Sequence, residues 1–134
     1  NQNGQASAIF NSVLPSLYYI VVKHRNTIET WSAIPIPIGA TSFYNFTDDS
    51  LKAYGGNQIN LIPGLNVYGI YSGDVTKDSG ESIDLLDLNQ IFSDLYNFSS
   101  GYLPTDLNGD GSVDLLDITP LEDNLSQFIF SHHP

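Results

Sequence analysis

Oxygen-bearing side chains recur at regular intervals in the twelve residues 106–117. They stand at positions 1, 3, 5, 7, 9 and 12 of this run, and Gly111 stands at position 6. Side chains spaced in this way, with a backbone carbonyl at position 7, converge on a hard cation such as Ca²⁺, while the glycine permits a sharp turn. We therefore predict a Ca²⁺ site, the alternative being a surface turn that caps a helix. The predicted ligands are Asp106, Asn108, Asp110, Ser112, Asp114 and Asp117.

An earlier run, residues 74–87, repeats this pattern with a small insertion. The sequence Asp-Leu-Leu-Asp occurs at 84–87 and again at 114–117, but the first run has two extra residues within 78–82. We predict a second Ca²⁺ ion here, with Glu81 replacing any ligand that the insertion displaces. The alternative is a purely structural lobe. The predicted ligands are Asp74, Thr76, Asp78, Asp84 and Asp87.

Each run leads into a segment whose apolar residues have helical spacing. The apolar residues are Leu88, Ile91, Phe92 and Leu95 after the first run, and Ile118, Leu121 and Leu125 after the second. Residues three or four apart share one face of a helix, so both segments are predicted helices with a buried stripe. Pro120 interferes with the second helix, because beyond the first turn its ring clashes with the carbonyl four residues back. We expect that helix to begin late or to kink.

Charge is divided unevenly along the chain and marks a boundary. Residues 1–73 carry three acidic and three basic side chains, whereas residues 74–134 carry twelve acidic side chains and one lysine, which accounts for the net charge of −11. Carboxylates gathered around cation loops repel one another until the ions bind. This acidity argues against nucleic acid as a partner. We predict a β-module over 1–73 and a calcium-binding domain over 74–134, with repeats at 74–98 and 106–128.

The first module has the composition of a β-structure. Residues 17–24 are aromatic and β-branched, without glycine or proline. Further short strands are predicted at 41–46, 58–62 and 65–71. Pro35 and Pro37 mark an edge strand or a loop, since proline cannot donate to a sheet ladder. Short strands between polar turns predict a small antiparallel sandwich, or half of one. The expected fold class is therefore α+β.

The acidic half resembles a type I dockerin domain, which contains a pair of calcium-loop-and-helix repeats. Through residues 18–26, 29–33, 54–55 and 73–75, the whole chain resembles a C-terminal module of secreted Bacteroidetes surface proteins. In those proteins an immunoglobulin-like sandwich runs directly into a dockerin-like pair. The resemblance implies a secreted or cell-surface protein. It also implies a sandwich that lacks upstream strands. If its sheet edge is open, our hypothesis is that a neighbouring chain adds a strand there, the alternative being that the sequence is a fragment.

The resemblance also suggests where a partner binds. Family dockerins bind cohesin domains through helix faces near the ends of the loops. The residues of this chain at those positions are Leu85, Leu86, Leu115 and Leu116. A cohesin-like partner would contact these leucines. The alternative is that they pack in the core or between lobes.

The remaining features concern function more broadly. The chain has no cysteine, which excludes disulfides and thiolate chemistry, and no nucleophile motif or phosphate loop is present, so we predict no enzyme. No apolar run is long enough to span a membrane. The expected function is a non-catalytic, calcium-binding module for protein–protein attachment or assembly. The alternatives are a structural subunit of a surface fibre or adhesin, formed as a homo-oligomer by strand exchange, and a carbohydrate-binding module of a larger extracellular enzyme.

Overall fold

The computed structural model describes residues 5–39 and 41–134 and has a mixed α+β architecture. Short antiparallel strands occupy the first half of this described part, and two α-helices occupy the second. The strands are β1 (Ser16–Tyr18), β2 (Val21–Val22), β3 (Thr30–Trp31), β4 (Ile36–Ile38), β5 (Ile59–Asn60) and β6 (Tyr68–Gly69). The helices are α1 (Leu85–Tyr96) and α2 (Ile118–Leu125), and 3₁₀ turns cover Ser50–Lys52 and Tyr54–Gly56. The α+β class is thus confirmed.

The strands pair in three separate two-stranded ladders, all antiparallel: β1 with β4, β2 with β3, and β5 with β6. The predicted strand at 17–24 is divided between two of these ladders. At the break, the Ile20 amide donates to the Ser32 hydroxyl at 3.0 Å, and the Ser32 amide donates to the Ile20 carbonyl at 2.8 Å. A side chain therefore replaces one backbone acceptor, and the ladder does not continue.

The strand predicted at 41–46 is wrong, because these residues are described and none of them is in a strand. Side chains anchor the segment instead. The Tyr44 hydroxyl donates to the Lys52 carbonyl at 2.6 Å and accepts from the Ala33 amide at 3.2 Å. The Asn45 side chain accepts from the Thr47 amide at 2.9 Å, which closes a local turn. These bonds compete with a sheet ladder for the same residues.

One hydrophobic core joins the two halves of the chain. Its buried members are Ile28, Val75, Ile83, Ile91, Val113, Ile118 and Leu121. Only Ile28 comes from the first half, and it is fully buried. Its amide donates to the Tyr71 carbonyl at 3.1 Å, and the Gly73 amide donates to the Asn26 carbonyl at 2.8 Å. The packing therefore continues across the boundary predicted between residues 73 and 74.

The two acidic repeats are interlocked by reciprocal pairing. The end of the second loop pairs with the segment after α1, since the Val113 amide donates to the Ser99 carbonyl at 3.0 Å. The end of the first loop pairs with the segment after α2, since the Ile83 amide donates to the Ile129 carbonyl at 2.9 Å. Matching residues are thirty positions apart in both pairs, so the repeats are related by an approximate two-fold axis.

The helices begin at different points of the repeat, and Pro120 explains the difference. Helix α1 begins at Leu85, directly after the N-cap Asp84, whereas α2 begins at Ile118, three residues later in the repeat. Starting there keeps Pro120 in the first turn, where its missing N–H and its ring are tolerated. The predicted late start is confirmed. Neither helix in the described residues is long and apolar enough to cross a membrane.

The predicted apolar stripes are largely confirmed. Ile91, Ile118 and Leu121 are buried, and the core is flanked by partly buried side chains. Those of the helices are Leu88, Leu95 and Leu125. Phe92 is the exception, because it is 45% exposed and lies outside the core. A helical stripe wider than the available core leaves its outermost residue in solvent.

Both helices are followed by an exposed phenylalanine with a left-handed backbone, Phe98 at φ 51° and Phe128 at φ 54°. This conformation costs a residue with a side chain about 1 kcal/mol, and glycine avoids the cost. Phe98 is 90% exposed. We therefore expect Phe98→Gly to raise the free energy of unfolding by about 0.5–1 kcal/mol, measured by urea denaturation.

Tyr96→Gly is the matched control, because Tyr96 is also an exposed aromatic residue but is helical, at the end of α1. Glycine in a helix is unfavourable, so this variant should be less stable than the parent. A destabilised Phe98→Gly variant would show that the phenylalanine ring, and not its backbone strain, dominates at this position.

Candidate functional site

The last residue of the second loop, Asp117, connects the two ends of the loop through hydrogen bonds. Its Oδ1 accepts from the amides of Leu107 at 2.7 Å and Asn108 at 3.0 Å, and its Oδ2 accepts from the Asp114 amide at 2.9 Å. The side chain is fully buried. A carboxylate that accepts three backbone hydrogen bonds is held in a fixed orientation.

The first residue of the loop, Asp106, is held in the same way. Its Oδ1 accepts from the Gly109 amide at 2.8 Å and its Oδ2 from the Gly111 amide at 3.2 Å. Gly111, at position 6, has φ 90°, a conformation that side chains disfavour. The sharp turn predicted at this glycine is therefore present, and it brings the loop amides onto the carboxylate.

The intermediate ligand positions lie on the exposed rim of the loop. The Asn108 Oδ1 accepts from the Asp110 amide at 2.7 Å, and the Asp110 Oδ1 accepts from the Ser112 amide at 2.9 Å. The Asp114 Oδ1 accepts from the Leu116 amide at 2.8 Å. These three side chains and that of Ser112 are exposed, whereas Asp106 and Asp117 of the same loop are buried.

The first loop repeats the scheme despite its insertion. Asp87 accepts from the amides of Val75 at 2.9 Å, Thr76 at 3.0 Å and Asp84 at 2.9 Å. Val75 and Thr76 are positions 2 and 3 of the loop, and Asp84 corresponds to position 9 of the second loop once the two inserted residues are allowed for. The Thr76 hydroxyl adds a bond to the same carboxylate at 2.9 Å. Asp74 and Asp87 are both buried. The hydrogen bonds that the last aspartate accepts from the backbone of its own loop, which we call the frame of the loop, are therefore the same in both repeats.

The two inserted residues are absorbed in a local turn. The Asp78 Oδ1 accepts from the Gly80 amide at 2.9 Å, and the Asp78 carbonyl accepts from the Glu81 amide at 3.3 Å. Glu81 has a left-handed backbone, with φ 45°, and its carboxylate is 3.9 Å from His133 Nε2. The insertion thus changes the rim of the first loop and leaves its two buried carboxylates in place.

A lysine distinguishes the first loop from the second. Position 4 is Lys77 in the first loop and Gly109 in the second. The Lys77 ammonium donates to Asp74 Oδ2 at 3.1 Å and to the Thr27 carbonyl. Burial raises the pKa of the Asp74 carboxyl above its ordinary value, and the Lys77 hydrogen bond opposes that rise. An intramolecular cation therefore already neutralises one carboxylate of this loop.

The donor set suits a hard cation, although the carboxylates are not gathered into a preformed cluster. Within residues 5–39 and 41–134, no group of three or more His, Cys, Asp or Glu side chains is close enough to hold a metal. The candidate donors of both loops are all oxygen atoms, which Ca²⁺ prefers. In each loop two of these carboxylates are buried and fixed by backbone amides. The binding of two Ca²⁺ ions remains a prediction.

The four leucines predicted to bind a partner are exposed. Leu85 and Leu86 are 63% and 54% exposed, and Leu115 and Leu116 are 68% and 65% exposed. The alternative that these leucines pack in the core is therefore wrong. Two adjacent exposed leucines stand at the end of each loop, beside the start of each helix. Their contact with a partner stays a prediction.

Sequence reasoning missed the residues of the first half that contact the loops. Arg25 and Asn26 donate to the main-chain carbonyl of Asp106 at 3.0 and 3.3 Å. The signal available in the sequence was the scarcity of cations, because the chain has only four Lys and Arg residues against fifteen acids. A cation in such a chain is expected to lie near the acidic groups.

The fold and the loops define the class of this protein, an α+β protein with two interlocked, aspartate-rich loop-and-helix repeats. No protein-family model, curated protein or solved structure matches the chain. Membership of the dockerin family therefore stays a prediction.

Removing the Lys77 ammonium tests whether it competes with Ca²⁺ for Asp74. We expect Lys77→Gln to raise the Ca²⁺ affinity of the first loop about five-fold, the equivalent of about 1 kcal/mol for a partly exposed ion pair. Calorimetric titration of the metal-free protein measures this. Lys52→Gln is the matched control, because Lys52 is an exposed lysine outside both loops. Equal affinities in the parent and in Lys77→Gln would exclude competition by this ammonium.

Proposed function

We propose that this chain is a non-catalytic, calcium-binding module of a secreted or cell-surface protein, and that it serves attachment or assembly. The observation that carries the proposal is the shared frame of the two loops. In both, the last aspartate accepts from the amides at positions 2 and 3 and from the amide of the aspartate three residues before it, although the sequences between differ and one has an insertion. A surface turn that only caps a helix does not require these hydrogen bonds, yet they are present in both loops.

The proposed ligands come from both loops. In the second loop they are Asp106, Asn108, Asp110, Ser112, Asp114 and Asp117, and in the first they are Asp74, Thr76, Asp78, Asp84 and Asp87. Bound Ca²⁺ would supply positive charge that offsets the acidity of this half. The chain's own residues order the loops, since their backbone amides hold the buried carboxylates in place. The millimolar Ca²⁺ outside cells fills sites of moderate affinity.

The proposed partner surface consists of the leucine pairs 85–86 and 115–116. These pairs are exposed and lie between the last two aspartates of each loop, so an ordered loop fixes their direction. Paired apolar side chains that are held in solvent favour a protein partner. By the resemblance to dockerins, that partner is a cohesin-like domain. The approximate two-fold axis presents one pair from each repeat.

A second candidate function is supported by the first half of the chain. Its strands form ladders of only two strands, and large apolar side chains remain in solvent around them. Examples are Ile9, Phe10, Leu14 and Phe43, each at least 70% exposed. Unpaired strand edges beside apolar surface favour the addition of a strand from a neighbouring chain. This would make the chain a structural subunit of a surface fibre or adhesin, with an immunoglobulin-like sandwich completed by its neighbour.

Calorimetry of the metal-free protein with Ca²⁺, together with thermal melts in Ca²⁺ and in EDTA, tests the proposal. We expect two sites and a higher melting temperature in Ca²⁺. Asp110→Ala, on the rim of the second loop, should abolish one site. Asp123→Ala is the matched control, because it removes an exposed carboxylate of α2 that lies outside both loops. Absence of binding by the parent, or equal effects of the two variants, would refute the proposal.

A further inference from the structure

Arg25 connects the first half of the chain to the start of the second loop. Its Nη1 donates to the Leu103 carbonyl at 3.1 Å, and its Nη2 donates to the Asp106 carbonyl at 3.0 Å. The guanidinium lies over the Tyr102 ring, 4.0 Å from its centroid. Only 16% of the side chain is exposed. One planar group thus holds two carbonyls and one ring of the segment that leads into the loop.

Asn26 strengthens this connection. The Asn26 side chain is buried, and its amide donates to the same Asp106 carbonyl at 3.3 Å. The Asn26 main-chain carbonyl accepts from Gly73, the residue before the first loop. Two consecutive residues of the first half are therefore bonded to the entrances of both loops.

The hydrogen bonds from Arg25 do not involve the side-chain oxygens of Asp106, which are the proposed metal ligands. They go to the main-chain oxygen of Asp106, whereas both side-chain oxygens accept from loop amides. The guanidinium Nη2 is 4.0 Å from Asp106 Oδ2, which is beyond hydrogen-bond distance. Arg25 thus fixes the position of Asp106 without taking the place of a cation.

We propose that Arg25 is a positioning residue of the second loop, which raises the Ca²⁺ affinity of that loop by holding the Leu103 and Asp106 carbonyls. This inference rests on the proposed function and deepens it. Removing a group that hydrogen-bonds to a metal-binding residue, and so orients it, commonly weakens metal binding ten- to a hundred-fold. The same bonds couple the two halves, because an ion that orders Asp106 also orders the Arg25 and Asn26 segment.

Two effects of Arg25 on a bound cation have opposite signs. Its bonds order the loop and favour the ion, whereas its positive charge near Asp106 repels the ion. Arg25→Lys separates these effects, since lysine keeps the charge but lacks the planar fork that reaches two carbonyls. A purely electrostatic role of Arg25 predicts unchanged affinity in this variant. A positioning role predicts weaker binding.

The experiment titrates Ca²⁺ into the full, metal-free chain and follows each loop separately by NMR, using the amides of Gly111 and Gly80 as reporters. We expect Arg25→Lys to weaken the second loop about ten-fold and to change the first loop less than about two-fold. Lys52→Arg is the control, because it makes a change that keeps the charge at an exposed lysine outside both loops.

Hydrogen exchange supplies an independent readout of the coupling. In the parent protein, Ca²⁺ should slow exchange of the amides at 26–28, and in Arg25→Lys this protection should be smaller. An unchanged second loop, or equal weakening of both loops, would overturn the positioning role while leaving the proposed calcium function intact. A parent protein that binds no Ca²⁺ would overturn both.

Discussion

Replacing Asp117 with asparagine is expected to lower the free energy of unfolding by about 2–3 kcal/mol in EDTA, before any ion is considered. The buried carboxylate accepts three backbone amides through both oxygens. Asparagine has one acceptor oxygen, and its NH₂ group would face a backbone N–H. At least one buried amide donor is then left without a partner. Urea denaturation in EDTA, followed by the fluorescence of Trp31, measures the effect.

Asp114→Asn is the matched control for this substitution. Asp114 is exposed, and its side chain accepts only from the Leu116 amide, at 2.8 Å. An asparagine retains that bond through its remaining oxygen, so we expect a change below about 0.5 kcal/mol. Similar losses in the two variants would mean that Asp117 does not hold the loop together in the metal-free protein.

Ile28→Ala is expected to destabilise the whole described chain by about 3–4 kcal/mol, the usual cost of a cavity at a fully buried site. Ile28 belongs to the first half of the sequence, but its side chain lies among the core residues of the acidic repeats. We therefore expect the helical signal and the Trp31 fluorescence to report one common transition, shifted to lower denaturant. Far-ultraviolet circular dichroism and fluorescence, recorded on the same samples, measure it.

The control for this prediction is Ile34→Ala. Ile34 lies in the same half of the chain but is 62% exposed, so its truncation should change stability by less than about 0.5 kcal/mol. If Ile28→Ala shifts the fluorescence transition and leaves the helical transition unchanged, the two halves unfold independently. The shared core would then contribute little to their cooperation.

The acidic repeats were predictable because their determinants are local. The positions of Gly111 and of the aspartates within twelve residues specify the turn and the helix that follows. Asp84 and Asp114 each accept from an amide only two residues further along the chain. The late start of α2 follows from the covalent geometry of Pro120 alone. The conformation of the insertion in the first loop and the pairing between the repeats were left open, because they depend on packing between distant residues.

The first half was less predictable because distant residues decide its structure. Strands of two or three residues carry little local signal, and side-chain bonds at Ser32 and Tyr44 replace ladder bonds that the composition favours. The burial of Ile28 in the core of the repeats depends on residues far along the chain. The same is true of Arg25, whose partners are some eighty positions away. Such pairings have no periodic pattern that could be recognised in the sequence.

The reciprocal pairing makes each repeat depend on the other for backbone hydrogen bonds. Each loop pairs with the segment that follows the helix of the other repeat, so a single repeat on its own would lack these hydrogen bonds. Deletion of either repeat is therefore expected to unfold the other as well. The first repeat is needed for this pairing whether or not its loop holds an ion.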